Sequence, residues 1–192
     1  MAERRRGPAL EKALLDAAWE ELADHGYARF TMDAVVKRAG TSPPVLYRRW
    51  ANREELVRAA VAHTLKVVPL LHADTGTLRG DVLALLRELN SPARVRLVTV
   101  MNLRLADFHR ETGTNPADLR DPLVTGRAEA LDELFARAAA RGEVQPEHLT
   151  PRLKSLPFDL LRHDILTTYA PVPDEALEEI VDTVFLPLVL VR

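Results

Sequence analysis

The most informative part of this chain runs from Phe30 to Leu56 and reads FTMDAVVKRAGTSPPVLYRRWANREEL. Gly40 separates two short segments with helical character, Met32–Ala39 and Pro43–Trp50. Two short helices joined by a tight turn that contains glycine meet the geometric requirement of a helix-turn-helix. The pattern therefore predicts a DNA-reading motif whose second helix enters the major groove.

Capping residues support these boundaries. Thr31 and Ser42 are predicted to cap the two short helices, and Asn52 with Glu55 forms a capping box that opens a fourth helix at Arg53. Apolar side chains can brace the motif from behind: Met32, Val35, Val36, Ala39, Val45 and Leu46. The positions left facing outward are Pro43, Pro44, Arg48 and Arg49.

Local charge agrees with a polyanionic partner. Between Tyr27 and Arg58 there are seven basic residues against three acidic ones. The groups that can follow a phosphate backbone are Arg29, Thr31, Lys37, Tyr47, Arg48, Arg49 and Arg53. For any single arginine, an ordinary solvated surface remains the alternative. Residues 4–6, three consecutive arginines, fit either a DNA-binding arm or a solubilising tail.

Several of these residues also form a recognisable signature. They are the threonine before the second helix, Ala39-Gly40 at the turn, Leu46-Tyr47-Arg48 followed by Trp50, and a basic residue at position 53 followed by Glu-x-Leu. In these features the segment resembles the DNA-binding signature of the tetracycline-repressor (TetR) family. The resemblance covers about 50 residues.

The resemblance implies a set of DNA contacts. Tyr47 and Arg53 would grip phosphates, Thr31 would bind one while capping its helix, and the two arginines after Tyr47 would contact phosphates or base edges. The full predicted set is Thr31, Pro43, Pro44, Val45, Tyr47, Arg48, Arg49 and Arg53. Three residues depart from the usual family pattern, namely Thr41, Val45 and Arg53, so an inherited operator sequence is not expected.

Composition limits the class of protein. The chain has 192 residues, 47% hydrophobic residues and no cysteine, which excludes disulfide scaffolds and thiolate metal sites. No apolar run approaches the roughly 18 residues of a membrane span, and the N-terminal region is too charged for a signal peptide. We therefore expect a cytoplasmic protein. Residues 1–66 carry a net charge of +3 and residues 67–192 one of −5, so the N-terminal part is basic and the C-terminal part acidic.

Helical periodicity continues through the rest of the chain and predicts an all-α fold of about nine helices. The predicted helices are Pro8–His25, Met32–Ala39, Pro43–Trp50, Arg53–Leu71, Leu78–Leu89, Pro92–Arg110, Ala117–Arg141, Pro151–Thr168 and Asp174–Val191. We expect residues 1–52 to form a three-helix DNA-binding domain. Residues 53–192 would form a helical domain for ligand binding and dimerisation, with helix 53–71 as the connector.

By the resemblance, helices 151–168 and 174–191 would pair with those of a second copy, although packing within one chain could also cover their apolar faces. The ligand pocket would be lined by residues of the middle helices: Met101, Leu105, Phe108, His109, Arg127, Phe158, Arg162 and His163. For each apolar member, an ordinary core position is the alternative.

The predicted partners are therefore double-stranded operator DNA with a palindromic sequence, a second copy of the chain and an unidentified small-molecule effector. No cofactor, metal or membrane is expected. A helical-bundle enzyme is disfavoured because there is no His-Glu-x-x-His or Glu-x-x-His pair and no glycine-rich phosphate loop. A DNA-binding protein without a ligand remains an alternative, and activation remains possible beside repression.

Overall fold

The computed structural model describes residues 7–67, 73–116, 118 and 131–190. The first helices are α1 (Pro8–His25), α2 (Met32–Ala39), α3 (Pro43–Tyr47) and α4 (Arg53–Val67). They are followed by α5 (Leu78–Leu89), α6 (Pro92–Thr99), α7 (Ala106–Thr112), α8 (131–140), α9 (Pro151–Thr168), α10 (Asp174–Glu179) and α11 (Leu186–Val189). Within the described ranges there is no β-strand beyond one isolated bridge, so the predicted all-α class is confirmed.

The chain folds as two compact units. The first contains the described residues 7–67 together with 100–116 and 118, and the second contains 73–99 and 131–190. The predicted functional boundary after residue 52 is a different division and stays a prediction. No helix within the described part of the chain is long and apolar enough to cross a membrane.

The core of the first unit forms where α1 packs against α2 and α4. The apolar stripe of α1 supplies Leu14, Leu15, Ala18, Trp19 and Leu22, which are all buried as the periodicity predicts. Burial of these apolar side chains provides the main stabilisation of this part of the first unit. A 3₁₀ turn, Tyr27–Arg29, follows α1 and places the fully buried Tyr27 ring beneath the start of α4.

The second unit has its own core, in which α5 packs against α9 and α10. The rings of Phe135 and Phe185 meet edge-on at 6.1 Å in this core. At the start of α5 the buried Asp81 carboxylate accepts hydrogen bonds from the Thr75 backbone N–H at 2.6 Å and the Thr75 hydroxyl at 2.8 Å. This satisfied network fixes the loop before α5.

Two predicted helices are interrupted in the structure. The prediction of one helix over Pro92–Arg110 is wrong, because α6 ends at Thr99, Val100–Arg104 is π-helical and Leu105 leaves the helical region at φ −102°, ψ 5°. The π-helical turn shifts the helical register, and Leu105, which follows it, is completely buried.

The predicted C-terminal helix Asp174–Val191 contains a π-helical segment, Ile180–Phe185. Pro187 follows it and lacks the N–H that a regular helix would require, which favours a local change of register. The helix ends at Val189, since Leu190 is extended and bridges to Val144.

The predicted helix Ala117–Arg141 is described at residue 118 and over 131–141; it is helical at 118 and over 131–140, Arg141 already lies in a turn, and residues 117 and 119–130 lie outside the described residues.

Candidate nucleic-acid interface

The turn between α2 and α3 is closed by a left-handed glycine. Gly40 has φ 64° and ψ 39°, and its N–H donates to the Lys37 carbonyl oxygen at 3.3 Å. The Thr41 N–H donates to the Val36 carbonyl oxygen at 3.1 Å, which completes a Schellman motif. A Cβ at Gly40 would meet nothing within 4 Å, so the backbone conformation alone demands glycine.

Thr31 caps α2 as predicted. Its Oγ1 accepts a hydrogen bond from the Ala34 N–H at 3.2 Å, and the residue is exposed. The hydroxyl hydrogen is then still available to donate outward, because a threonine hydroxyl can accept and donate at once. Thr31 can thus hold its helix and donate to an external phosphate oxygen.

Helix α3 is shorter than predicted, ending at Tyr47 instead of Trp50. The predicted side-chain cap from Ser42 is absent in the described structure, although the Val45 N–H donates to the Ser42 carbonyl oxygen at 3.0 Å. Two prolines open this helix, so few N–H groups need a cap. Residues 48 and 49 continue as a turn before α4.

The two faces of α3 differ sharply in burial. Leu46 is completely buried, whereas the neighbouring Tyr47 is 49% exposed. Pro43, Pro44 and Arg48 are exposed as predicted. One face of α3 therefore buries Leu46, while its prolines and Tyr47 face solvent, as does Arg48 in the turn that follows.

Val45 and Arg49 are less open than their predicted roles suggest. Both are half-buried, and Arg49 Nη1 donates to the Val45 carbonyl oxygen at 3.3 Å. The guanidinium of Arg49 is thus partly used within its own turn. Arg48 is the more exposed of the two adjacent arginines.

The start of α4 carries the predicted capping box in a slightly shifted form. Asn52 Oδ1 accepts from the Glu55 N–H at 2.9 Å, and Glu55 Oε2 accepts from the N–H of Ala51, also at 2.9 Å. The Glu55 carboxylate thus reaches the residue before the cap. This arrangement fixes the backbone that connects α3 to Arg53.

Arg53 is held by groups that no sequence pattern indicated. Its guanidinium lies over the Tyr27 ring, 4.4 Å from the centroid, and donates a hydrogen bond to the Glu111 carboxylate of α7. Burial lowers the pKa of Arg53, but the hydrogen bond and charge of Glu111 together with the Tyr27 hydroxyl outweigh burial and leave the pKa raised. Burial also raises the pKa of the Tyr27 hydroxyl, so the ring beneath Arg53 stays neutral at physiological pH.

A second arginine in the basic segment is engaged internally. Arg38 of α2 donates to Glu21 at 2.9 Å and to Asp24 at 2.7 Å, and both carboxylates belong to α1. The bond to Asp24 raises the pKa of Arg38, with Glu21 adding to the effect. Arg38 thus fixes α2 against α1, and the exposed cations of this surface include Arg29, Lys37 and Arg48.

The residues predicted to line a ligand pocket divide between the two units. Met101, Leu105 and Phe108 are buried in the first unit, and the half-buried His109 has its Nδ1 3.0 Å from the Thr114 hydroxyl.

In the second unit Phe158 is buried, Arg162 donates to Asp159 at 3.0 Å and His163 is exposed. Arg127 lies outside the described residues. The assignment of all eight residues to a pocket stays a prediction.

Family models match both parts of the chain. Residues 14–60 match the model described as "Bacterial regulatory proteins, tetR family". Residues 72–184 match the model described as "Tetracyclin repressor-like, C-terminal domain". The first match contains the whole segment from the Thr31 cap to the start of α4.

Individual relatives agree with these models. The chain is 33% identical over 186 residues to the DNA-binding transcriptional repressor TetR of Mycobacteroides abscessus, covering 96% of each chain.

Solved structures share the fold at lower identity. The regulator FadR of Bacillus subtilis, in complex with stearoyl-CoA, aligns with a TM-score of 0.70 at 17% identity over 91% of this chain and 99% of its own. The flavonoid-responsive regulator FrrA aligns with a TM-score of 0.67 at 20% identity, covering 97% of this chain and 100% of its own.

Proposed function

Because the chain belongs to the TetR family of bacterial transcriptional regulators, which are DNA-binding proteins and not enzymes, we propose that it binds a palindromic operator as a homodimer and is released by a small molecule. The observation that carries the proposal is the pair α2–α3. The turn between these helices is closed at Gly40, the Leu46 side chain is completely buried, and Tyr47 and Arg48 are exposed. A regulator of bacterial genes meets its operator in the cytoplasm, which is where we propose that it acts.

The proposed DNA contacts fall into two groups. Thr31, Tyr47 and Arg53 would bind phosphates and set the orientation of α3. Arg48 would read base edges in the major groove, where arginine pairs with guanine O6 and N7. Pro43, Pro44 and Val45 can only make apolar contacts, such as one to a thymine methyl group, and Arg49 would contribute charge.

Two-fold pairing is supported by apolar surface at the C-terminal end. Val184 is 37% exposed and Leu188, four residues later, is 56% exposed, while Leu156 and Leu160 of α9 are half-buried. Large exposed aliphatic side chains near one another indicate a surface that another protein covers. A second copy placed there by two-fold symmetry would present two copies of α3, spaced by one DNA turn of about 34 Å or a related distance.

Effector release is proposed by analogy with the solved relatives, of which one holds stearoyl-CoA and another responds to flavonoids. Of the proposed pocket residues, Phe108 is the best placed to transmit a change. It packs edge-on against Tyr27 at 5.2 Å, and Tyr27 lies under Arg53. A ligand that moved Phe108 would therefore disturb a proposed phosphate contact directly.

The test is to select binding fragments from the DNA that flanks the coding region and to footprint them. We expect one protected inverted repeat and an affinity that falls steeply with salt. Arg48→Ala should weaken binding, whereas Arg152→Ala, which removes an exposed arginine from the second unit, should not. Equal binding by both variants, or no protected site, would contradict the proposal.

Effector release needs a separate assay. Acyl-CoA thioesters and flavonoids are added to the operator complex, and dissociation by one compound class supports a sensor. No dissociation by either class, or by a wider metabolite panel, favours a ligand-independent DNA-binding protein.

A further inference from the structure

The arginine at the start of α4 is already paired with a carboxylate of the protein itself. Arg53 is the first residue of α4, and its guanidinium hydrogen-bonds the carboxylate of Glu111, which is 58 positions later in the chain. One face of the guanidinium lies over the Tyr27 ring. Arg53 therefore has a defined position even without DNA.

Packing within the same unit sets the position of Glu111. Three residues before it on α7, Phe108 is completely buried, contacts the Tyr27 ring edge-on at 5.2 Å and lies 5.1 Å from the guanidinium carbon of Arg58. Residues three apart on a helix share a face. The aromatic contact thus holds the carboxylate of Glu111 at the start of α4.

A carboxylate and a phosphate are alternative partners for one guanidinium. Both offer oxygens that match its fork of N–H donors. The amino end of α4 adds the positive end of the helix dipole, which attracts either anion. An oxygen of Glu111 thus engages Nη2 of Arg53, one of the donors that a DNA phosphate would use.

The contact contributes little that the fold needs. The side chains of Arg53 and Glu111 are 37% and 46% exposed, and exposed ion pairs stabilise proteins only slightly. Glu111 also lies in the last turn of α7, where the helix dipole disfavours a negative charge. Its position is better explained by an effect on Arg53 than by the stability of α7.

We propose that Glu111 is an internal competitor for DNA phosphate, so that DNA must displace it from Arg53 before this contact can form. The inference rests on the proposed function, because it requires that Arg53 contacts DNA. It makes the position of α7 a determinant of DNA affinity, since any movement that carries Glu111 away from Arg53 exposes the cation.

The experiment compares two isosteric variants of α7 by fluorescence anisotropy with a short duplex of mixed sequence. Glu111→Gln removes the competitor, and Asp107→Asn removes the same charge from the same helix but from a residue paired with Arg110. We expect Glu111→Gln to bind about two- to five-fold more tightly than Asp107→Asn, the range of a partly exposed ion pair. The advantage should shrink as salt rises, because screening weakens the internal pair.

Two further variants separate competition from net charge. Glu111→Asp keeps the charge but shortens the reach, and it should also bind more tightly than the wild type. In an Arg53→Ala background, Glu111→Gln should gain no more than Asp107→Asn.

The proposal is overturned by equal affinities of Glu111→Gln and Asp107→Asn, by a gain that persists without Arg53, or by a Glu111→Asp variant that binds like the wild type. Arg53→Ala alone reports on the proposed function. If it weakens binding while the Glu111 variants fail these expectations, only the competition is refuted.

Discussion

Two adjacent residues of α3 should affect different properties of the protein. Leu46 is completely buried and Tyr47 is about half exposed, although they are neighbours in sequence. Leu46→Ala removes a core side chain and leaves a cavity. Tyr47→Phe removes only the phenolic oxygen from a side chain that already lies largely in solvent.

The expected magnitudes follow from these environments. Leu46→Ala should lower the free energy of unfolding by about 2–5 kcal/mol, the range for a fully buried leucine. Tyr47→Phe should change it by less than about 0.5 kcal/mol, as is usual at exposed positions. A hydrogen bond to a charged group is worth about 1.5–3 kcal/mol, so losing one from hydroxyl to phosphate should weaken DNA binding about 10- to 150-fold per subunit.

The assay pairs chemical denaturation with anisotropy titrations on the selected operator. Tyr47→Phe should retain the wild-type unfolding midpoint, lose affinity by a similar factor on every duplex sequence and show a similar salt slope, because no cation is removed. If Tyr47→Phe destabilised the fold, or left DNA affinity unchanged, the assignment of Tyr47 to the outward, phosphate-binding face would be wrong.

Three further perturbations test other parts of the structure. Gly80→Ala should destabilise the protein by about 1–3 kcal/mol in denaturant titrations, because its new Cβ would meet Thr75 Oγ1 at 2.1 Å; an unchanged midpoint would contradict this packing. Arg38→Ala should lower stability by about 1–3 kcal/mol, since the buried Glu21 carboxylate loses a hydrogen-bonded partner; additivity with Glu21→Gln in a double-mutant cycle would show that the two do not interact. Arg79, which pairs with Asp182, lowers the pKa of this carboxyl below its ordinary 3.8. The pair therefore stabilises the fold above that pH, and its contribution is lost as pH falls through the lowered pKa. On acidification through that range, Asp182→Asn should lose less stability than the wild type, and parallel curves of unfolding free energy against pH would contradict the shift.

Helices bounded by local signals could be predicted from sequence. α1, α2, α5 and α9 begin and end at the predicted residues. Their ends depend on neighbouring groups, such as the Thr31 hydroxyl that caps α2 and the left-handed Gly40 that ends it. Interactions over three or four residues leave a readable pattern.

Features that depend on distant packing were missed. The break at Leu105 accompanies complete burial of its side chain after a π-helical turn, and the regular periodicity around it gives no sign of either. The sequence likewise gave no sign of the carboxylates that engage Arg53, a predicted DNA contact, and Arg38, a member of the same basic segment. Their carboxylate partners lie 14 to 58 positions away, and a count of charges cannot assign such pairs.

The composition of the proposed DNA-facing surface could be predicted only in part. The outward positions of Tyr47 and Arg48 follow from the helical register of a segment whose other face is apolar. Arg49 is the exception, because it folds back onto the Val45 carbonyl oxygen. Sequence thus predicts which helix faces DNA, while the structure distinguishes the exposed cations from the engaged ones.

The most direct test of the whole account is the mass of the complex that the wild-type protein forms with the DNA fragment recovered by selection. We predict two subunits on one duplex that carries an inverted repeat, and a much weaker complex when the repeat is scrambled at the same length and ionic strength. A single subunit on the duplex, or equal affinity for the scrambled sequence, would contradict the claim that two symmetry-related copies of the α2–α3 motif read the DNA.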